Sequence, residues 1–232
     1  MRGFTDIHSH VIYGVDDGAK TQEDMFGLLD LTAADGTTRL YATSHVELGV
    51  HPFAAEVYQA HLEEARNYCA EKGYELELVP GAEVYCSPLM IPYIQDQRLP
   101  TMGESNAVLL EFSTEAKREE VLEILSRTVD AGYDPILAHI ERYQMMGWST
   151  PGLLKRKYRV LCQVNAGSFV RKGSLMSRLK LRHWLKQGWI DYIASDAHSV
   201  KYRPPMMRKG YEKIKELCGT QMARDLTNGQ LP

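Results

Sequence analysis

The sequence predicts an α/β fold on a parallel sheet, either closed into a barrel or doubly wound, from three observations. Seven short apolar runs alternate with amphipathic stretches along 232 residues, the pattern of repeated βα units. The runs are continuously apolar, as strands covered on both faces must be. No Gly-x-Gly-x-x-Gly follows the first run, which lowers the dinucleotide-binding reading. Gly103, Gly147 and Gly167 are isolated and form no loop that could cradle a phosphate.

The first run is Phe4–His8. Thr21, with Asp24 three residues on, predicts a capped helix start, and Gly36 predicts its end. The second run is Arg39–Thr43. Ala54–Lys72 reads as a helix with Val57, His61, Leu62, Ala65 and Tyr68 near one face and Gly73 as its stop. The third run, Glu75–Val79, leads into an irregular stretch containing Pro80, Pro88, Pro92 and Pro100. The fourth run is Ala107–Phe112, followed by a helix over Glu115–Ala131 that Gly132 closes. The fifth run, Asp134–Ala138, precedes a short helix near Leu153–Lys157. The sixth is Val160–Val164, then a helix over Leu175–Lys186 stopped by Gly188. The seventh is Ile190–Ala194, and Pro205–Leu226 reads as helical. No low-complexity linker or composition shift divides the chain, so residues 1–232 read as one domain.

Composition narrows the function. With 44% hydrophobic and 25% charged residues, disorder, collagen and coiled coil are excluded. A domain of this length buries a sizeable core without a disulfide or metal staple. A net charge of −3 forces no basic face, which argues against nucleic-acid binding through bulk charge. No apolar run approaches the ~20 residues of a membrane span, and Met1–Asp6 shows no apolar signal region, so secretion is not expected. Cys69, Cys86, Cys162 and Cys218 are widely spaced, which reads as reduced thiols in a cytoplasmic protein.

The informative residues stand where each run ends. They are Asp6-Ile7-His8-Ser9-His10, Thr43-Ser44-His45, Gly81-Ala82-Glu83, Leu110-Glu111-Phe112, His139-Ile140-Glu141-Arg142, Gln163-Val164-Asn165 and Ser195-Asp196-Ala197-His198. In a parallel barrel all these ends meet on one face, so five histidines and several carboxylates converge at one mouth. Imidazole with carboxylate suits Zn, Mn or Fe(II) rather than a soft thiolate site. His8-x-His10 puts two rings on one side of an extended strand, and Asp196-Ala197-His198 repeats the spacing. About eight ligand-type groups call for two or three ions bridged by a carboxylate. A single strand-end histidine is more often a hydrogen-bonded structural residue, but seven such ends on seven strands are not easily assigned to chance. His51, His61 and His183 fall outside the pattern and read as surface or packing residues.

Two further features compete for attention. Cys218-x5-Arg224 matches the phosphate loop of cysteine-dependent phosphatases, but it lacks the glycines that aim amides at a phosphate, and no strand leads into it. Tyr13, Phe53, Tyr85 and Tyr143 lie beside the strand-end motifs, as groove lining or as rim packing.

The Asp6–His10 motif, the Val15-Asp16-Asp17-Gly18 turn and Ser195-Asp196-Ala197-His198 resemble the polymerase-and-histidinol-phosphatase (PHP) superfamily. The fuller set of strand ends, with Gln163–Ser168 and Arg203-Pro204-Pro205, resembles its CpsB/YwqE-type branch of bacterial tyrosine-protein phosphatases, over residues 6 to 205. Val46 and Ile140 depart from that pattern at positions that are not ligands in the family. The resemblance implies a distorted (β/α)7 barrel with three metals, usually manganese. It implies His8, His10, Glu83 and Asp196 on the first metal, and Glu83, Glu111 and His139 on the second, with Glu83 bridging. Asp17, His45 and His198 would hold the third, with Asp16 the rival carboxylate. It further implies Arg142 and Arg203 on the phosphate, and a substrate at the phosphotyrosine-bearing tail of a bacterial tyrosine kinase that controls capsule or exopolysaccharide assembly. The expected chemistry is attack by a metal-activated hydroxide, with Asp196 or His198 protonating the leaving phenolate. A small phosphoester such as histidinol phosphate is the alternative substrate. A non-catalytic metal-stabilised module is the reading from a different class.

Overall fold

Seven strands run parallel and in chain order, each hydrogen-bonded to the next. They are β1 (Phe4–Ser9), β2 (Thr37–Val46), β3 (Glu77–Tyr85), β4 (Ala107–Glu111), β5 (Asp134–Leu137), β6 (Leu161–Asn165) and β7 (Tyr192–Ala194). This computed structural model describes residues 3–87 and 89–232, so Pro88 of the irregular stretch lies outside the described residues, with Met1 and Arg2. The sheet curls until its two ends meet. His10 donates its amide to the Ala197 carbonyl at 2.8 Å, and Asp196 donates its amide to the His8 carbonyl at 2.8 Å. The barrel is therefore nearly closed, and the join lies beside the strand ends that carry the polar motifs.

Helices separate the strands: α1 (Gln22–Asp35), α2 (Ala55–Glu71), α3 (Met90–Gln95), α4 (Arg118–Asp130), α5 (Thr150–Tyr158), α6 (Ala166–Val170) and α7 (Leu175–Lys186). After β7 come α8 (Met207–Cys218) and α9 (Thr220–Thr227). Thr21 caps α1 through a capping box with Asp24, and Gly36 ends it at φ 94°, where a side chain would be strained. Leu175–Lys186 is helical over the predicted span.

Alternation along each strand separates the two sides of the wall. Leu40 and Ala42 of β2 pack outward with Met25 and Leu28 of α1 and Leu62 and Ala65 of α2. Tyr41, between them in sequence, joins Val79, Leu109, Ile136, Tyr192 and Ala194 in a cluster inside the barrel. Those inner positions share parity with His45, Glu83, Glu111 and Asp196 further along the same strands. The interior is thus an apolar floor beneath a polar mouth.

Several expectations need correction. The buried face of α2 is Tyr58, Leu62, Ala65 and Cys69, and Val57 is exposed. The proline-rich stretch is not wholly irregular. Pro80 lies within β3, at a position that pairs with Ala42 of β2 before β4 joins at Glu83, so its missing N–H leaves no ladder bond broken. Pro92 sits in the first turn of α3, where proline is tolerated. The C-terminal segment breaks into two helices at Gly219, φ 90°. Among the described residues no helix is long and apolar enough to cross a membrane.

Candidate metal centre

Glu83 sits at the centre of the mouth, fully buried. Its Oε2 lies 3.0 Å from His8 Nε2, 3.1 Å from His10 Nε2 and 3.2 Å from His45 Nδ1. Its Oε1 lies 2.9 Å from His139 Nε2. Glu111 spans the same gap, 3.3 Å from His139 Nε2 and 3.4 Å from His45 Nδ1. Asp196 Oδ1 is 3.6, 3.7 and 3.4 Å from nitrogens of His8, His10 and His198. Asp17 lies 3.5 Å from His45 Nε2 and 3.4 Å from His198 Nε2. All nine residues singled out as metal ligands thus come together.

The donor atoms of eight of them fall into three overlapping groups: His8, His10 and Asp196; His45, Glu83 and Glu111; and His10, Asp17, His45 and His198. His139 stands outside these groups, beside Glu83 and Glu111. This grouping differs from the expected one, because His45 also serves the Glu83–Glu111 pair and His10 also faces Asp17.

The surrounding shell fixes which nitrogen each ring points inward. His10 Nδ1 bonds Asp16 Oδ2 at 2.8 Å, which leaves Nε2 facing Glu83. His8 Nδ1 bonds Gln163 Oε1 at 3.2 Å, and His198 Nδ1 bonds the Asp196 carbonyl at 3.1 Å. This is the arrangement by which outer partners orient ligating imidazoles. Asp16 has its oxygens committed: Oδ2 also accepts from the His45 amide, and Oδ1 accepts from the Gly18 amide. Of the two neighbouring aspartates, Asp17 is the one aimed at histidine nitrogens across the mouth. Gly18 has no room for a side chain, since a Cβ there would lie 2.2 Å from the His10 carbonyl oxygen.

A second polar chain runs behind the cluster. Gln163 Oε1 accepts from the His139 amide, Gln163 Nε2 donates to Asn165 Oδ1, and Asn165 Nδ2 donates to Asp196 Oδ2 at 2.6 Å. Glu141 is half-buried and accepts from the Asn165 amide and the Ser168 hydroxyl. Asp6 is wholly buried and accepts from the amides of His8 and Ser195. The positioning roles of Asp6, Asp16, Gln163, Asn165 and Glu141 are absent from the sequence expectations. Their signal is weak but present, because Asp6 continues the every-second-residue parity of His8 and His10. His139 and Asp196 adopt positive φ, 30° and 52°. Non-glycine residues held there mark sites that their surroundings over-determine.

Arg142 and Arg203 both reach Asp196 Oδ2, at 2.5 and 2.6 Å. Two guanidinium groups therefore converge on one point of the mouth. The proton balance is shaped by the same crowding. Burial opposes a charge on His10, but the bond and charge of Asp16, joined by Glu83, outweigh it and raise the ring to about 10. His139 is likewise disfavoured by burial and raised to about 9 by Glu111 and Glu83. Burial would raise Glu83, yet the charge of His8 and the bonds from His10 and His139 hold it well below the carboxylate range.

The residues fit divalent cations. His198 Nε2 is buried without a hydrogen-bond partner and faces Asp17 across the mouth, and unpaired buried polar atoms are costly unless something else satisfies them. His8 Nε2 and His10 Nε2 face each other at 3.0 Å, a packing of donor nitrogens that a shared cation would relieve. The nitrogen and oxygen donors match Mn, Zn or Fe(II).

The competing features resolve differently. Cys218 ends α8 and Arg224 lies on α9, with one glycine between the helices, so no phosphate loop exists there. Tyr13 stacks on His61, and Tyr143 is buried with its hydroxyl accepting from the Phe112 amide. Phe53 packs on Tyr58. Tyr85, by contrast, lines a cavity with His45, Glu111 and Asp17. His51 borders that cavity too, its Nε2 held by the Val15 carbonyl.

Comparison with known proteins places this barrel and its mouth. The tyrosine-protein phosphatase CpsB of Streptococcus pneumoniae is 28% identical over 229 residues, covering 95% of this chain and 93% of its own. CpsB of Streptococcus agalactiae is 26% identical over 234 residues, with the same coverage. A crystal structure described as YwqE from Bacillus subtilis and CpsB from Streptococcus pneumoniae, metal-dependent tyrosine phosphatases, superposes with a TM-score of 0.86 at 22% identity, over 96% of this chain and 90% of that one. The family model for capsular polysaccharide synthesis, CpsB/CapC, matches residues 4–230, and with nearly every described residue inside that match, the chain belongs to the CpsB/CapC family.

Proposed function

We propose that this chain is a metal-dependent protein-tyrosine phosphatase. The observation that carries the reading is the mouth itself. Four imidazoles and four carboxylates form three overlapping ligand groups, His139 adjoins two of the carboxylates, and two arginines converge at their edge. The names of the streptococcal relatives support the substrate class. Three manganese ions are the proposed complement, with Asp17 as a ligand and Asp16 as the residue that orients His10. When bound, the ions supply Lewis-acid chemistry: they neutralise phosphoryl oxygens and lower the pKa of a water that they hold.

The chain's own residues do the rest. Arg142 and Arg203 hold the equatorial phosphoryl oxygens through planar forks suited to bidentate contact. Asp16, Gln163 and the Asp196 carbonyl fix His10, His8 and His198 with Nε2 turned inward. Asn165, held by Glu141, keeps Asp196 in place beside both arginines. The leaving tyrosinate has a pKa of about 10, which makes it a better leaving group than an alkoxide. Residues 1–232 act as one domain in the cytoplasm, on a phosphotyrosine tail of a bacterial tyrosine kinase that controls capsule or exopolysaccharide assembly.

The test is hydrolysis of a phosphotyrosine peptide and of histidinol phosphate by the manganese-loaded protein. The reading requires kcat/KM to favour the peptide. Preference for histidinol phosphate would make this a small-molecule phosphatase, and no turnover of either would leave only the non-catalytic module.

A further inference from the structure

A net charge of −3 hides an uneven distribution. Between Glu141 and Asp191 there is no Asp or Glu, yet 11 of the chain's 27 Lys and Arg lie there. The rest of the chain carries 16 Lys and Arg against 30 Asp and Glu. The acid-free stretch leaves the barrel mouth at Arg142 and returns along β6, α6 and α7. Where it passes the mouth, it walls a cavity of about 320 Å³. Its lining includes Arg142, Asn165, Asp196 and Arg203, the proposed phosphate-gripping residues. The same cavity is also lined by Arg171, Lys172 and Arg178.

Those three cations have no carboxylate partner among the described residues, and all three side chains are exposed. Arg171 makes one long contact, to the Tyr202 carbonyl at 3.4 Å. Lys180, also on the wall, is committed to the Met146 carbonyl at 2.9 Å. The two acids of the cavity are already engaged. Glu141 holds Asn165 and Ser168, and Asp196 holds Arg142 and Arg203. An ordinary solvated face mixes both signs of charge, and this wall does not.

We propose that the cavity is a second anion subsite, in which Arg171, Lys172 and Arg178 hold a negatively charged group carried on the same peptide as the phosphotyrosine. The inference rests on the phosphatase reading and deepens it to a substrate class, peptides with acidic or phosphorylated neighbours. Continuity of the cavity with the arginine pair favours a peptide over a flat anionic surface. The anion is either a second phosphoryl group or a carboxylate, and both would be steered to the mouth by the same field.

The experiment compares three peptides on the manganese-loaded protein. One carries a single phosphotyrosine among neutral residues, one adds Glu on both sides, and one adds a second phosphotyrosine. The expected kcat/KM advantage of an anionic peptide over the neutral one is about tenfold or more, the worth of one charge-assisted contact. An advantage for both anionic peptides means that any carboxylate serves, and an advantage for the second phosphotyrosine alone identifies a phosphoryl site. In R171A/K172A/R178A the ratio should fall to within about twofold of unity, and salt near 0.5 M should compress it in the parent. Equal turnover of all three peptides by the parent overturns the subsite while leaving the phosphatase standing. So does an advantage that survives in the triple variant. Loss of binding to phosphatidylglycerol vesicles in the variant, with peptide ratios unchanged, would make the wall a membrane-docking face and overturn the proposal. If no peptide is hydrolysed, the phosphatase reading fails first and takes the subsite with it.

Discussion

Asp16 and Asp17 are adjacent, chemically identical and oppositely employed. Asp16 is tied to His10, the His45 amide and the Gly18 amide, whereas Asp17 looks across at His45 and His198. Sequence alone leaves the pair undecided, because the choice depends on how the turn over Gly18 closes. The assignment predicts different losses. Asp17→Ala should remove a ligand and with it close to one equivalent of bound metal. Asp16→Asn should keep full metal content at saturation but weaken affinity by about 10–100-fold, the usual cost of losing an orienting partner. Metal titration followed by elemental analysis separates them, and equal stoichiometric loss in both would refute the division of roles. The arginines make a second prediction at this scale. Arg142→Ala and Arg203→Ala should each lower kcat/KM by about 10²-fold, some 2.7 kcal/mol, with metal content intact. Lysine should rescue poorly because it lacks the fork. Rates within a few-fold of the parent would reduce both to rim ion pairs worth about 0–1 kcal/mol. The residues that cluster at the mouth were legible because histidine and carboxylate at strand ends carry their chemistry in their identity. Gln163, Asn165 and Glu141 were not, since an amide or a half-buried acid declares its role only through its partners.

Elements were legible where a local signal was strong. The capping box at Thr21 and the left-handed Gly36 bracket α1 as predicted, and the apolar runs mark all seven strands. Misreadings arose where context overrode a residue's usual meaning. Proline reads as a breaker, yet Pro80 sits where β3 lacks its second neighbour and Pro92 sits in a first helical turn. Two variants test the division between fold and site at this scale. Thr21→Ala should cost about 1 kcal/mol through loss of the cap and leave metal content unchanged, as read by chemical denaturation and elemental analysis. Gly18→Ala should instead lose metal, because the added methyl meets the His10 backbone rather than a movable side chain. Full metal content in Gly18→Ala would show that the turn does not set the site.

On the scale of the whole molecule, the site was legible because a parallel barrel brings every strand end to one face. A total charge of −3 concealed the basic wall, since an average carries no position. The assembled mouth also gives the molecule a pH-dependent stability. His10 and His139, raised to about 10 and about 9 in the metal-free chain, contribute stability that is fully present below the ordinary histidine value near 6.5 and lost as pH rises through 9 to 10. Cations need those rings unprotonated, so metal binding releases protons and strengthens over the same window. The gain in Tm on adding manganese should therefore be larger at pH 8.5 than at pH 6.5, and a gain independent of pH would contradict the ligand roles of both histidines. The central claim is that this mouth hydrolyses phosphotyrosine with the help of metal held by these residues. Its most direct test is one assay: phosphate release from a phosphotyrosine peptide by the chelator-stripped protein, then after manganese is returned, beside Glu83→Ala and Cys218→Ser treated alike. The account predicts no turnover when stripped, recovery with manganese, failure of Glu83→Ala to recover, and a near-parental rate for Cys218→Ser. Full activity in the stripped protein, or its loss in Cys218→Ser, would contradict it.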